Sequence, residues 1–331
     1  MIGPAGRTTD PVKGIASIEV GTHTARLLFA RPTDDGSLIE PVFRERRTIR
    51  LAEGFGPRGT GPIRREAFQR TAEAIRDFGR RVGEANGEIV QAVSTGVTRT
   101  ASNRNAFLQR VLDDSGVRIR SISGEEEAEL TARGVLHALG PFAGPFLLFD
   151  LGGGTTEFIL GGESCRSATA VRSLPLGALV LKEAFLHDDP PSAASLEALA
   201  GRIQDVLAEG LSDLLRASSS PPRLIGTGGT VTTLAAMAHD IEVFDIRPER
   251  MNGLRLSMQT LRALYERMVG IPAAQRAALR GLDAGRADVI PAGTLAVMQT
   301  IQHVGAEALS VCLSDILEGL LITYLEGKRD E

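Results

Sequence analysis

The 331 residues include two cysteines and three lysines, and no apolar run is long enough to span a bilayer. Each scarcity removes a class of protein. Cys165 and Cys312 cannot build a disulfide framework and stand at no metal-ligand spacing, so a reducing cytoplasm is the expected compartment. Roughly 18 consecutive apolar residues would be needed for a spanning helix, and the opening "MIGPAGRTTDPVKG" has no apolar core of a signal peptide. No membrane partner is expected. There is no G-x-x-x-x-G-K-S/T, which removes the P-loop. The five histidines are scattered, which removes a histidine-based metal centre. No phosphate-type loop follows Cys165, which reads as a core residue. Net charge is −4, so neither DNA nor RNA is an expected partner.

What charge there is lies unevenly. Residues 1–135 carry 21 Lys+Arg against 18 Asp+Glu, and residues 136–331 carry 16 against 23. Between Arg44 and Arg81 stand 11 arginines and 5 acids. Such a run is ordinarily a solvated helix face; the alternative is a field that draws in a polyanion. A composition that is 43% hydrophobic supports a soluble globular chain of about two domains.

The segment order is α/β. Ile15–Val20 and Thr24–Ala30 read as a hairpin and Arg44–Leu51 as a third strand. Helices over Arg64–Val82, Asn105–Leu112 and Glu126–Leu139 alternate with strands at Ile89–Ser94 and Val117–Ile122. After "GPFAGP" the plan restarts at Phe146–Leu151. Thr155–Leu160, the Ser192–Arg216 helix and the Leu224–Thr227 strand follow, and Ala308–Leu313 and Ser314–Leu325 close the chain as strand and helix. "SIEVGTHTARLLF" and "LFDLGGGTTEFIL" share one design: apolar strand, acid, one residue, glycine, polar turn, apolar strand. Glu19-Val20-Gly21 aligns with Asp150-Leu151-Gly152. Two similar halves facing one another would each aim a glycine turn and a carboxylate into a cleft.

In "LLFDLGGGTTEFILGG", residues 147–162, Gly152, Gly153 and Gly154 lie between Asp150 and Glu157. Consecutive glycines allow backbone N–H groups to converge on an anion. Carboxylates repel phosphate, but they can hold a divalent cation or orient a water. A tight hairpin with incidental acids is the plain alternative. Three further turns weigh against it. "GTGGTVTTLAAM" at 226–237 puts Thr230 near a helix N-terminus, which favours an anion. "STGVTRTASNR" at 94–104 supplies Arg99, suited to bidentate phosphate contact. "ISGEEEAEL" at 122–130 places Glu125, Glu126 and Glu127 at a helix start, more acid than capping requires. Arg26 and an Arg286–Asp288 pair read as structural ion pairs.

These segments, with "SLPLGALVLKEAF" at 173–185 and "RADVIPAG" at 286–293, resemble in order the motifs of the exopolyphosphatase/guanosine pentaphosphate phosphatase (Ppx/GppA) family over nearly the whole chain. The resemblance implies two actin-like (ribonuclease H-like) domains, each a mixed sheet with flanking helices, around an interdomain cleft. Their expected bounds are 12–139 and 140–313, with a C-terminal helix at 314–331 packing back on the first. It implies a short two-domain form without the longer members' helical extension. By the same resemblance Glu127 is the base that activates water, and Asp150 and Glu157 hold Mg²⁺ or that water. Arg99, Gly152, Gly153, Gly154 and Thr155 bind phosphate, as do Gly228, Gly229 and Thr230. In the first loop Gly21 and Thr22 would contact phosphate and Glu19 the metal. There the chain departs from the pattern DIGSNSxRL, with Glu19, Thr22, His23 and Thr24; Leu317 replaces an arginine near the end. The implied activity is Mg²⁺-dependent release of terminal orthophosphate from inorganic polyphosphate, with Mn²⁺ as the alternative metal. Guanosine pentaphosphate is the alternative substrate. A catalytically weakened binding protein and a kinase of the same superfold are the competing classes. A homodimer is left open.

Overall fold

The computed structural model describes residues 13–33, 39–53, 55, 61–140, 142–162 and 168–329. Cys165 and Arg58 lie outside them. The first half opens with an antiparallel meander, β1 (Gly14–Val20), β2 (Thr24–Pro32) and β3 (Ile39–Thr48). Every residue of β1 is buried, as a strand covered on both faces requires. Helix α1 (Arg65–Glu84) crosses back so that β4 (Gly87–Ser94) runs parallel to β1. Then come α2 (Arg104–Ser115), β5 (Arg120–Ser121) and α3 (Gly124–Leu139).

The second half repeats the plan. A meander of β6 (Phe146–Leu151), β7 (Thr156–Gly161) and β8 (Ala168–Leu174) leads through α4 (Ala178–Phe185) and α5 (Ala193–Arg216) to β9 (Arg223–Thr227). There follow α6 (Gly229–Ala238), α7 (Pro248–Met251), β10 (Arg255–Ser257), α8 (Met258–Val269), α9 (Ala273–Arg276), α10 (Ile290–Val304), β11 (Ala308–Val311) and α11 (Ile316–Arg329). The sheets run β3-β2-β1-β4-β5 and β8-β7-β6-β9-β11, the second with β10 added at its edge. The short sequence repeat is therefore the visible part of a repeat of whole halves, the actin-like arrangement. The hairpins agree in detail, with Glu19 opposite Arg26 in one and Asp150 opposite Glu157 in the other.

The closing helices are exchanged. Helix α3, counted above with the first half, lies on the second sheet, with Ala128, Ala132 and Val135 against Phe146, Leu148 and Ile159. Helix α11 lies on the first, with Ile316, Leu317, Leu320 and Leu321 against Ile15, Leu28 and Val93. Leu317 is thus an apolar anchor. The two helices meet at glycines: a Cβ on Gly134 would lie 1.9 Å from the Asp315 carbonyl oxygen, and one on Gly319 1.9 Å from that of Leu130. Only residues without a side chain allow backbones this close.

Several boundaries differ from the sequence reading. The third strand runs Ile39–Thr48 rather than Arg44–Leu51, because Arg50 takes a left-handed φ of 50° that ends the extended run. Between 117 and 122 only Arg120 and Ser121 pair as strand. Among the described residues no helix is long and apolar enough to cross a membrane.

Candidate active site

Ligands in open α/β sheets gather beyond the carboxyl ends of parallel strands. Here four such ends, of β1, β4, β6 and β9, surround one cavity of about 50 Å³ between the halves. The turn after β6 is held from behind. Its carbonyls face α4, with Gly152 O accepting from Ala178 N at 3.0 Å and Gly153 O from Leu179 N and Val180 N at 3.0 and 3.1 Å. That orientation leaves the N–H groups of Gly153, Gly154 and Thr155 without a backbone acceptor among the described residues, the arrangement an anion-binding nest needs. The docking explains the "PLG" segment: a Cβ on Gly177 would lie 2.2 Å from the Gly154 carbonyl carbon.

Gly228 caps α6 at φ 91°, a conformation open to glycine. A Cβ there would meet Asp150 Oδ1 at 2.4 Å. The glycine thus brings the first turn of α6, with its unpaired N–H groups, against the carboxylate. The Thr230 side chain faces Gly293 of α10 instead and does not line the cavity; its contribution is backbone.

Of the three acids opening α3, Glu125 is exposed, and Glu126 pairs with Arg120 at 2.7 Å. Ser123 caps the helix by accepting from Glu126 N at 3.1 Å. Glu127 alone turns inward and is buried. Arg99, in the turn after β4, pairs with Glu127 and stands 3.5 Å from both Glu157 Oε1 and Thr155 Oγ1. Glu157 also accepts from Ser173 Oγ at 2.8 Å. No side-chain donor among the described residues bonds the Asp150 carboxylate.

Glu19 lines the cavity, but both of its oxygens are engaged. Oε1 accepts from Thr95 Oγ1 at 2.8 Å and Oε2 from Arg26 Nε at 2.6 Å. Arg26 also pairs with Asp315, so it is a structural bridge. The Thr22 hydroxyl accepts from Val97 N at 3.1 Å and packs against Gly96 and Gly154, where a Cβ would come within 2.2 and 2.4 Å of it. Gly21 closes its own turn, its N–H donating to Thr24 O at 2.9 Å.

The expected Arg286–Asp288 ion pair does not form. Arg50 takes Asp288 through two bonds of 2.7 and 3.0 Å. Arg286 lines the cavity and its guanidinium lies against Gly229, where a Cβ would be 2.0 Å from Nη2. It is buried, makes no ion pair among the described residues, and its Nε has no partner. Burial, then Arg46, pulls its pKa down to about 9, which still leaves it charged at neutral pH. A buried cation without a carboxylate is costly and is satisfied best by an anionic ligand. Its one signal in the sequence is the arginine of "RADVIPAG", masked by the aspartate two residues on.

Three acids (Glu19, Glu127 and Asp150) and two arginines (Arg26 and Arg286) line the cavity; the predicted Arg99 and Glu157, with Asp315, stand behind the lining, Arg99 on Glu127 and Glu157 and Asp315 on Arg26. The excess of negative charge shows in the carboxylates. Burial and then Glu157 push Glu127 well above the ordinary range, outweighing the pull of Arg99. Burial and then Asp315 do the same to Asp150. Burial and then Asp150 lift Glu157 to about 7. A divalent cation fits this charge. Among the described residues no three acidic, histidine or cysteine side chains form a ready-made cage. Mg²⁺ is characteristically held by one or two carboxylates plus substrate phosphate and water; of the two expected here, Asp150 lines the cavity, and Glu157 stands opposite it on the hairpin without lining the cavity.

The arginine-rich stretch is largely neutralised. Arg44 pairs with Glu318, Arg46 with Asp283, Arg70 with Glu53 at 2.8 Å and Arg81 with Glu45 at 2.8 Å. Among the described residues of the stretch Arg64, Arg65 and Arg76 make no ion pair, Arg76 donating to the Asp114 carbonyl.

Paired equivalent sheets with glycine turns and acids at their strand ends define an actin-like architecture with a cleft between its halves. The chain belongs to the Ppx/GppA phosphatase family, whose model matches residues 31–327. It is 32% identical to exopolyphosphatase 2 of Mycobacterium tuberculosis over 327 residues, which cover 93% of this chain and 98% of that protein. Exopolyphosphatase 1 of Mycobacterium bovis is 30% identical, with 95% and 88% covered. Among solved structures, an exopolyphosphatase from Cytophaga hutchinsonii superposes with a TM-score of 0.82 at 26% identity, covering 95% of this chain and 98% of that one.

Proposed function

We propose that this protein is an exopolyphosphatase-type hydrolase that removes the terminal phosphate of inorganic polyphosphate. The observation that carries the reading is Arg286, a buried cation with no ion pair among the described residues, lining one cavity with the glycine turns and the buried carboxylates Glu19, Glu127 and Asp150. Arg99, Arg286 and the turns at 152–155 and 228–229 bind and orient the terminal phosphoryl group. A phosphate oxygen competes with Glu127 for Arg99, so substrate arrival frees the base. Glu127 then takes a proton from water as the water oxygen bonds to the terminal phosphorus. The bond from that phosphorus to the bridging oxygen breaks, and the shortened chain leaves with the bond's electrons. Asp150 and Glu157 would hold Mg²⁺, or Mn²⁺, which supplies charge neutralisation for the phosphoryl oxygens when bound with substrate. Glu19, already engaged by Thr95 and Arg26, holds the cleft wall. Orthophosphate release from polyphosphate with Mg²⁺ tests the reading; release no greater than that of Glu127→Gln overturns it.

Guanosine pentaphosphate is the second reading. A neighbouring cavity of about 210 Å³ lies on the other side of Gly229 and Arg286. Its lining mixes Arg44 and Arg46, each already paired with an acid, and the carboxylates Glu45 and Asp315 with apolar Val243, Ile246 and Leu313. The apolar part of that lining suits a nucleoside more than a bare phosphate chain. Comparing kcat/KM on the two substrates decides between them. Multiple turnovers on either would exclude a binding protein that has lost catalysis.

A further inference from the structure

We propose that His23 and Arg50 are positioning residues. They hold the loop 283–288 so that Arg286 enters the cleft. The loop belongs to the second half; its holders belong to the first. Arg46 pairs with Asp283. Thr48 abuts Gly285, where a Cβ would lie 2.8 Å from its hydroxyl. Arg50 binds Asp288 through both carboxylate oxygens and donates to Gly285 O at 3.3 Å. His23 Nε2 donates to the same carbonyl at 3.2 Å. Arg46 and Thr48 alternate along β3 and so share one face, and Arg50, past the strand end, reaches the same loop from the turn.

The holders are themselves fixed. Ile49 N and Arg50 N both donate to His23 O, at 2.9 and 3.0 Å, and Leu51 N donates to Thr22 O at 2.7 Å. These bonds keep Arg50 at φ 50°, a conformation that residues other than glycine adopt only when the surroundings impose it. On the loop side, Asp283 Oδ1 accepts from Gly285 N at 2.7 Å, and Arg286 N donates to Asp283 O at 2.8 Å. The aspartate gripped by Arg46 therefore also shapes the turn that aims Arg286. With no acid partner of its own, Arg286 takes its position from this backbone alone. A salt-bridge set that only stabilised the two halves would not need to converge on the segment bearing that arginine.

The catalytic consequence rests on Arg286 meeting substrate phosphate, as proposed above; the positional claim does not. A double-mutant cycle tests it, using orthophosphate release from tripolyphosphate together with amide hydrogen exchange over 283–289. Arg50→Ala and Arg286→Ala should each lower kcat/KM at least about tenfold. The double variant should be no worse than Arg286→Ala alone, because Arg50 acts through Arg286. Exchange at the Arg286 amide should quicken in Arg50→Ala. Asp288→Asn removes the same contact from the other side and replaces Arg50→Ala if that variant does not fold. His23→Ala should share the exchange effect. Losses that multiply in the double variant, or exchange that stays at the wild-type rate, would overturn the proposal. If the wild type does not hydrolyse tripolyphosphate, the phosphatase reading fails, and the exchange measurement still decides the positioning role.

Discussion

The buried carboxylates tie the stability of the metal-free protein to pH in an unusual direction. Glu157 has an ordinary pKa of 4.5 and about 7 in the fold. Below 4.5 it is protonated in both the folded and unfolded states and exacts no penalty. As pH rises, the unfolded chain ionises first while the fold keeps its proton, so stability falls until the folded group also ionises near 7. At about 1.4 kcal/mol per pH unit, Glu157 alone removes about 3 kcal/mol between pH 4.5 and 7. Glu127 and Asp150 are raised as well and act in the same direction. Asp283 and Asp288 oppose them only at the acid end: against the effect of burial, Arg46 and Arg50 hold the two below the ordinary 3.8, so their stabilisation is lost as pH falls through the depressed values. His23, lowered from 6.5 to about 3 by burial and then Arg286, opposes the three raised carboxylates between pH 5 and 6.5, where only the unfolded imidazole is protonated; that offset of about 2 kcal/mol is smaller than their combined loss. Urea unfolding in chelator should therefore show less stability at pH 8 than at pH 5. Glu157→Gln should flatten the slope by its share, and Mg²⁺ should restore stability at pH 8 by binding the ionised carboxylates. Stability that is equal or greater at pH 8 in chelator would refute the reasoning.

Gly319→Ala puts a methyl group 1.9 Å from a backbone oxygen and should cost about 2–4 kcal/mol as the α3–α11 crossing is forced apart, read as a fall in melting temperature. Arg286→Ala removes a buried charge without an acid partner; melting temperature should hold or rise while kcat/KM falls by about 10²-fold or more. Glu19→Asp cannot reach Thr95 and Arg26 together, and phosphate release should drop by about tenfold without a change in its substrate preference.

The hairpins were legible because each is an apolar pair of strands around a glycine turn, and the acids opening α3 stood out because three exceed what a helix cap uses, while the choice of Glu127 among them came from the resemblance. The return of the closing helix to the first half was read only from the resemblance, and the placing of α3 on the second sheet was not legible, since nothing local distinguishes a helix that packs on its own sheet from one that packs on its neighbour's. Arg286 was hidden for a related reason. Asp288 is its nearest acid in sequence, but the fold gives that aspartate to Arg50, 238 residues away. Glu19 shows the limit of motif transfer: its place at the cleft was readable, while its engagement by Thr95 and Arg26 depends on β4 and β2 arriving beside it. The third strand's end was misplaced because Arg50 serves the turn at His23 rather than the sheet.

The most direct test is single-turnover orthophosphate release from polyphosphate with Mg²⁺, comparing wild type with Glu127→Gln. The substitution keeps shape and removes basicity, so the rate should fall about 10²–10⁴-fold while substrate affinity is retained. A Glu127→Gln protein that releases phosphate at the wild-type rate would contradict the assignment of the base and, with it, the account of the cleft.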